Sequence, residues 1–224
     1  MPAANRLLTT CLSISWSLPG CPNGKPILVL TDSIGKALPS RPQWQHVLLS
    51  GKSFPEATSG IHDRSIRVGG RRVIVIHLGT NGLCYNTWRG KMTPETVLYE
   101  LICQVELLFR AVRTFNSTAF IVFSAVLPRR CDWENTKKVV LDFNTKLKAF
   151  CKRKNCGFMP TYSSFSVSRG PEKGNPLPGL WAIRDGGLHL NLPGRHLFTE
   201  RFKSALHPRQ LGVMARSVGF PHWR

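Results

Sequence analysis

The feature that most constrains this fold is a series of short apolar segments that have no polar face and that end on small or polar residues. Four of these segments lie at 27–30, 47–49, 73–78 and 119–123, and a fifth, weaker one lies at 157–159. A strand that is apolar on both faces is typical of the interior of a parallel sheet, where helices cover both sides. The segments therefore predict the strands of a parallel sheet.

Segments with helical spacing of apolar residues alternate with these strands. Thr93 precedes a helix predicted at 94–114, Asp132 precedes a second helix, and a last helix is predicted at 193–206. Strands that alternate with helices predict right-handed βαβ units. The predicted fold is a flavodoxin-like three-layer α/β/α sandwich with a five-stranded parallel sheet.

The chain has 224 residues, which is enough for one domain of ordinary size. We expect this domain at 26–206, preceded by a loosely ordered N-terminal extension at 1–25 and followed by a basic tail at 207–224. The segment 163–180 is rich in Ser, Gly and Pro, which predicts a long loop inside the domain.

The charge of the chain is strongly positive. Lys and Arg number 31 against 12 Asp and Glu, which gives a formal net charge of +19. A field of this sign attracts nucleic acid and other polyanions. Non-specific polyanion binding is therefore a predicted partner interaction, because no signature of sequence-specific recognition is present. Its candidate residues are the cations Lys137, Lys138, Lys146, Lys148, Lys152, Arg153 and Lys154. The alternative interpretation is that these cations form only the solvated outer face of a helix.

The cysteines and the apolar segments indicate the compartment. Seven cysteines are scattered without C-x-x-C spacing, which favours reduced thiols and no zinc site. The apolar stretch at 7–18 is interrupted by Thr, Ser and Trp, unlike a signal peptide, and no run is long enough to cross a bilayer. We expect an intracellular protein, in the cytoplasm or nucleus.

Three predicted strands end on residues that suit acyl-transfer chemistry. Ser33, Gly51 and Asn81 each follow a strand, and the carboxyl ends of parallel strands meet at the edge where α/β sheets bind ligands. A backbone N–H at Gly51 and the Asn81 amide can stabilise an oxyanion. In a purely structural interpretation, Ser33 caps a helix and Asn81 closes a turn.

A serine nucleophile needs a general base that a third group orients. Asp185 and His189 offer both on one loop, in a region that has few other acids. His77, which lies within the third strand, is better interpreted as a core residue than as a base.

In these residues the chain resembles the SGNH (GDSL-type) hydrolases. The sequence around the motifs is especially similar to the SGNH-type domains encoded in animal genomes and in LINE-type retrotransposons. The matching blocks, which span residues 26 to about 206, are Thr31-Asp32-Ser33, Gly51, Gly79-Thr80-Asn81 and Asp185 to His189.

The resemblance implies hydrolysis of a small ester or acylated substrate without a metal or other cofactor. It implies Ser33 as nucleophile and as one oxyanion donor, with Gly51 and Asn81 as the other donors. It further implies His189 as the base and Asp185 as its orienting acid. Asp32 and Thr80 are implied as residues that contact and position the site residues without touching the substrate.

The blocks depart from the family pattern in three places. Thr31 replaces a glycine, and Gly82 stands where many relatives have Asp. Asp185 also lies four residues before His189, where the family has three. Either the extra glycine loops out and the carboxylate still reaches the imidazole, or Gly186 occupies the acid position and only a weak Ser–His dyad remains. In a second functional interpretation the fold has lost its chemistry and binds polyanions, as a module derived from a mobile element.

Overall fold

The structure is a computed structural model that describes residues 26–39 and 41–221. Its centre is a sheet of five parallel strands in the spatial order second, first, third, fourth, fifth. The strands are β1 (Ile27–Thr31), β2 (Trp44–Leu48), β3 (Val73–His77), β4 (Phe120–Ser124) and β5 (Gly157–Met159). The predicted five-stranded parallel sheet is confirmed.

Helices cover both faces of this sheet. They are α1 (Phe54–His62), α2 (Tyr85–Trp88), α3 (Pro94–Phe115), α4 (Trp133–Arg153), α5 (Leu192–Ala205) and α6 (Pro208–Ser217). None of the helices formed by residues 26–39 and 41–221 is long and apolar enough to cross a lipid bilayer.

Alternate residues of the central strands enter two separate cores. In β1, Leu28 and Leu30 join the core formed with α1, α3 and α4, whereas Ile27 and Val29 join the core formed with α5 and α6. Because side chains alternate along a strand, a strand that is apolar throughout needs a covering layer on each side. The result is the predicted three-layer α/β/α sandwich.

Strand β2 begins at Trp44, earlier than the predicted segment 47–49. Trp44 is buried, and its indole N–H donates a hydrogen bond to the carbonyl oxygen of Pro39 at 2.9 Å. Gln45 and His46 are only half-buried, because β2 lies at the edge of the sheet and has one neighbouring strand. Polar residues at an edge interrupt the apolar pattern that marks the central strands.

Helix α1 is absent from the sequence prediction. It begins after Ser53, whose backbone N–H donates to the Glu56 carboxylate at 2.9 Å, with Pro55 in the first turn. This Ser-x-x-Glu pattern is the capping box, the sequence signal that could have identified the helix.

The C-terminal prediction is wrong for residues 208–217, because they form helix α6 rather than a tail. Leu211 and Ala215 are buried in the core on the α5 side, and Phe220 beyond the helix is 8% exposed. Apolar residues spaced four apart give α6 one buried face in spite of its positive charge. The predicted N-terminal extension at 1–25 lies outside the described residues.

Candidate active site

Ser33 begins a 3-10 turn (Ser33–Ala37) directly after β1, at the carboxyl end of the sheet. Asp32 starts this turn, since its carboxylate accepts a hydrogen bond from the Ile34 N–H at 3.0 Å. Gly35 lets the turn fold back onto the strand, because a Cβ there would lie 2.1 Å from Thr31 Oγ1. The local sequence therefore fixes where Ser33 leaves the sheet.

Thr31, the residue that replaces the glycine of the family block, is fully buried. Its hydroxyl lies 2.6 Å from Nε2 of His46 on the neighbouring strand β2. The larger side chain is therefore accommodated by a hydrogen bond across the sheet. This bond also ties the edge strand to the strand that carries Ser33.

A chain of hydrogen bonds joins Ser33, His189 and Asp185. Ser33 Oγ lies 3.1 Å from His189 Nε2, and His189 Nδ1 lies 2.9 Å from Asp185 Oδ2. The two ring nitrogens of His189 thus face a hydroxyl on one side and a carboxylate on the other. The extra glycine left two alternatives open. In the structure the Asp185 carboxylate reaches the His189 ring, which is the first of them.

The extra glycine is part of a tight loop that holds the Asp185 carboxylate. Gly186 and Gly187 have φ values of 68° and 90°, in the region that favours glycine. This conformation turns three backbone N–H groups toward Asp185 Oδ1, from Gly187 at 3.2 Å, Leu188 at 3.0 Å and His189 at 3.4 Å. The other oxygen, Oδ2, stays available to the imidazole.

Arg130 fixes this loop from the outside. Its backbone N–H donates to the Gly187 carbonyl oxygen at 3.1 Å, and a Cβ on Gly187 would lie 2.5 Å from the Arg130 side chain. Desolvation raises the pKa of the Asp185 carboxyl group. Hydrogen bonds from the His189 ring and from the loop N–H groups lower this pKa, and together they outweigh the desolvation. The net pKa lies below the ordinary value of 3.8, so Asp185 is ionised at neutral pH.

Gly51 and Asn81 lie in the loops on either side of Ser33, because β1 lies between β2 and β3. Gly51 is exposed and has a φ of +71°, and a Cβ there would meet nothing within 4 Å. The Asn81 amide donates one hydrogen bond to the Lys52 carbonyl oxygen at 2.8 Å, which links the two loops. Its second amide hydrogen and the N–H groups of Ser33 and Gly51 have no acceptor among the described residues.

A buried polar chain lies behind these groups. His77 at the end of β3 is 1% exposed, and its Nδ1 lies 2.9 Å from Ser124 Oγ, which lies 2.8 Å from Thr161 Oγ1. On the other side, Nε2 of His77 and Oδ2 of Asp32 are both buried and have no hydrogen-bond partner among the described residues. Thr80 is also buried. His77 is thus a core residue, as its position in the strand predicts.

Burial lowers the pKa of His77 below its ordinary value of 6.5, although the negative charge of Asp32 opposes the shift. The unfolded chain therefore takes up a proton that the folded chain does not. We expect the stabilising contribution of neutral His77 to be complete above about pH 6.5. Below that pH the free energy of unfolding should fall, by up to about 1.4 kcal/mol per pH unit for this group. Urea unfolding at pH 7.5 and 5.5 measures this loss.

His77→Gln is expected to reduce the loss, whereas His62→Gln, at an exposed histidine, leaves it unchanged. An equal loss in the His77→Gln variant would show that another group causes the acid sensitivity.

Ser33 and His189 open into a cavity of about 190 Å³. Three cations also line it, Lys36, Arg184 and Arg195, none of which the sequence analysis selects as a site residue. The sequence contains two signals for them, the position of Arg184 next to Asp185 and the position of Lys36 three residues after Ser33.

The predicted polyanion-binding cations lie on or next to α4, and several of them have partners. Lys138 pairs with Asp142 at 2.9 Å, and Lys154 pairs with Glu106 at 3.0 Å. Lys137 donates to the Asn175 side chain at 2.8 Å. The remaining cations are exposed, and they are Lys146, Lys148, Lys152 and Arg153. Polyanion binding at this surface stays a prediction.

Neither protein-family models nor curated protein sequences match this chain. Solved structures do match. A lipase from a goat rumen metagenome is 15% identical, with 82% of this chain and 98% of that chain covered at a TM-score of 0.60. A variant of an acetyl-xylooligosaccharide esterase from Geobacillus is 14% identical, with coverage of 85% and 95% and a TM-score of 0.59.

A member of the lipolytic protein G-D-S-L family from Veillonella parvula is 17% identical, with coverage of 80% and 97% and a TM-score of 0.55. At this level of identity the shared property is the arrangement of strands and helices. The chain therefore has the α/β fold of these lipolytic hydrolases and esterases.

Proposed function

We propose that this protein is a metal-independent serine hydrolase of the SGNH type that cleaves a small carboxylic ester. The observation that carries the proposal is the chain of hydrogen bonds from Ser33 Oγ through the His189 ring to Asp185 Oδ2. The fold supports it, because similar structures include a lipase and an acetyl-xylooligosaccharide esterase. The polar loops at the carboxyl ends of the strands lie where such sheets bind ligands.

In the first half of the reaction, Ser33 Oγ attacks the ester carbonyl carbon while His189 Nε2 takes the hydroxyl proton. The carbonyl oxygen becomes an oxyanion. The imidazolium then gives its proton to the departing alkoxide, which leaves as the alcohol. The product on the enzyme is an acyl ester of Ser33.

In the second half, a water molecule attacks the acyl carbon while His189 accepts one of its protons. Collapse of this second oxyanion returns the proton to Ser33 Oγ and releases the carboxylic acid. One ester and one water thus give one acid and one alcohol, and the protein returns to its initial state.

The oxyanion is stabilised by the N–H groups of Ser33 and Gly51 and by the second amide hydrogen of Asn81. None of these donors is used by an acceptor among the described residues. A fixed donor of this kind contributes about 100- to 1000-fold in rate. Asp185 holds the imidazole with Nδ1 protonated, so that Nε2 is the base.

The cavity beside Ser33 limits the substrate. Its volume of about 190 Å³ is below the range of about 300–1,000 Å³ that is usual for drug-sized ligands. We infer that the acyl group is short, and that acetyl and similar acyl esters are cleaved in preference to long-chain lipids.

Covalent labelling tests the proposal directly. A fluorophosphonate is expected to phosphonylate the folded protein once, and mass spectrometry of the digest should place the adduct on Ser33. Ser50 lines the same cavity and provides a matched control. Ser50→Ala should label like the wild type, and Ser33→Ala should not label. An unlabelled wild type, or an adduct on another residue, would contradict the proposal.

A further inference from the structure

The cavity beside Ser33 has a strongly positive wall. Lys36 comes from the 3-10 turn after β1, Arg184 from the 3-10 turn Ile183–Asp185, and Arg195 from the first turn of α5. No Asp or Glu among residues 26–39 and 41–221 lines the cavity. Three separate elements therefore bring cations to one small space without an acid among them.

These cations have no counter-ion in the part of the chain that the structure describes. Other lysines and arginines form ion pairs, such as Lys138 with Asp142, but Lys36, Arg184 and Arg195 form none. The Asp185 carboxylate beside Arg184 binds the His189 ring instead. Unpaired like charges around a concave surface concentrate anions there.

Arg195 is also oriented. Its Nε donates to the Leu190 carbonyl oxygen at 3.0 Å, and Leu190 directly follows His189. This bond attaches the guanidinium to the segment that carries the base. The terminal N–H groups of Arg195 remain to bind a carboxylate or phosphate, with which a guanidinium pairs well.

We propose that the ester cleaved at Ser33 carries an anionic group, a carboxylate or a phosphate, that Lys36, Arg184 and Arg195 bind. The inference rests on the proposed hydrolase function, since it names the substrate class of the same site. A net charge of +19 would attract anions to any part of the surface, whereas these three cations line the cavity into which Ser33 opens.

The first test compares two esters that differ in one charge. Mono-4-nitrophenyl succinate has a free carboxylate on its acyl side, and its methyl ester is the neutral counterpart with the same leaving group. The wild type should show a kcat/KM ratio, anionic over neutral, of about 10 or more, because a charge-assisted hydrogen bond has about this effect. The ratio should fall as salt is added. A second pair, 4-acetoxybenzoate and its methyl ester, has the charge on the alcohol side and shows on which side the cations act.

Substitutions identify the residues responsible. Arg184→Gln, Arg195→Gln and Lys36→Gln should each lower the anionic-to-neutral ratio by about 3- to 10-fold. Lys91→Gln, at an exposed cation that does not line the cavity, is the control and should keep the wild-type ratio. A wild-type ratio near 1 for both pairs would overturn the proposal. Equal effects of the cavity substitutions on both members of a pair would also overturn it.

Binding separates this proposal from the hydrolase function. Ser33→Ala cannot form the acyl-serine, so titration calorimetry of this variant with monomethyl succinate, a stable ester with the same free carboxylate, measures affinity alone. Tight binding that Arg195→Gln weakens, together with no Ser33-dependent hydrolysis of any ester, would refute the hydrolase and retain the anion site. Ser33-dependent hydrolysis without a preference for charge would do the reverse.

Discussion

Replacement of Ser33 by alanine is expected to lower kcat for a short-chain 4-nitrophenyl ester by about 10⁵- to 10⁶-fold, which is the size of effect that loss of a serine nucleophile has in such enzymes. The substitution removes the atom that would form the acyl intermediate. It leaves the oxyanion donors in place, and these sustain only the residual rate. Release of 4-nitrophenolate from purified wild type and variant measures the difference.

His189→Ala is the variant to compare with Ser33→Ala. Because Ser33 and His189 act in one proton transfer, the histidine variant should lose about as much activity as the serine variant, and the double variant should lose no more. Ser33 is only half-buried, so the melting temperature of Ser33→Ala should stay close to that of the wild type. Equal rates for wild type and Ser33→Ala, or losses that multiply in the double variant, would contradict a shared mechanism.

The sheet could be predicted from the sequence because its central strands lie between two cores. Each residue of β1, β3 and β4 is buried, and the first four residues of each strand are apolar, which gives three clear apolar runs in the sequence. Strand β2 has one neighbouring strand and is partly exposed, and polar residues near its beginning interrupt the apolar pattern. The start of β2 was therefore not recognised in the sequence. Helix α6 has a buried face of few residues within a basic segment, so its composition resembles that of a tail.

The part of the site that could be predicted from the sequence is the part that directly follows the strands. Ser33, Gly51 and Asn81 follow adjacent strands, so a parallel sheet brings their loops to one edge whatever the details. The contact of Asp185 with His189 depends instead on two left-handed glycines and on Arg130, which lies far away in sequence. Spacing along the chain does not contain that information.

The positive cavity wall was missed for a related reason. Its cations come from segments about 150 residues apart and are a small part of the 31 lysines and arginines of the chain. Only the fold distinguishes a cation that faces Ser33 from one that faces solvent.

Deletion of Gly187 would restore the acid-to-base spacing of the SGNH block, yet we expect it to lower kcat/KM by about 10³- to 10⁴-fold. The loop needs this residue, because Gly187 donates to Asp185 Oδ1 and its carbonyl oxygen accepts a bond from the Arg130 N–H. Without Gly187 the N–H groups of Leu188 and His189 move relative to the carboxylate, and the Asp185 Oδ2 contact with the imidazole is lost. Removal of the orienting carboxylate of a triad has an effect of about 10⁴-fold.

Asp185→Asn supplies the benchmark for that deletion. If the deletion acts by detaching the carboxylate, its loss should match that of Asp185→Asn, and combining the two changes should add little. Deletion of Gly170, an exposed glycine of the loop 163–180 that does not line the Ser33 cavity, is the matched control and should change kcat/KM only a few-fold. Activity at or above the wild-type level after deletion of Gly187 would show that the family spacing suits this loop better than the native one. It would also mean that the hydrogen bonds to Asp185 Oδ1 do not hold the base.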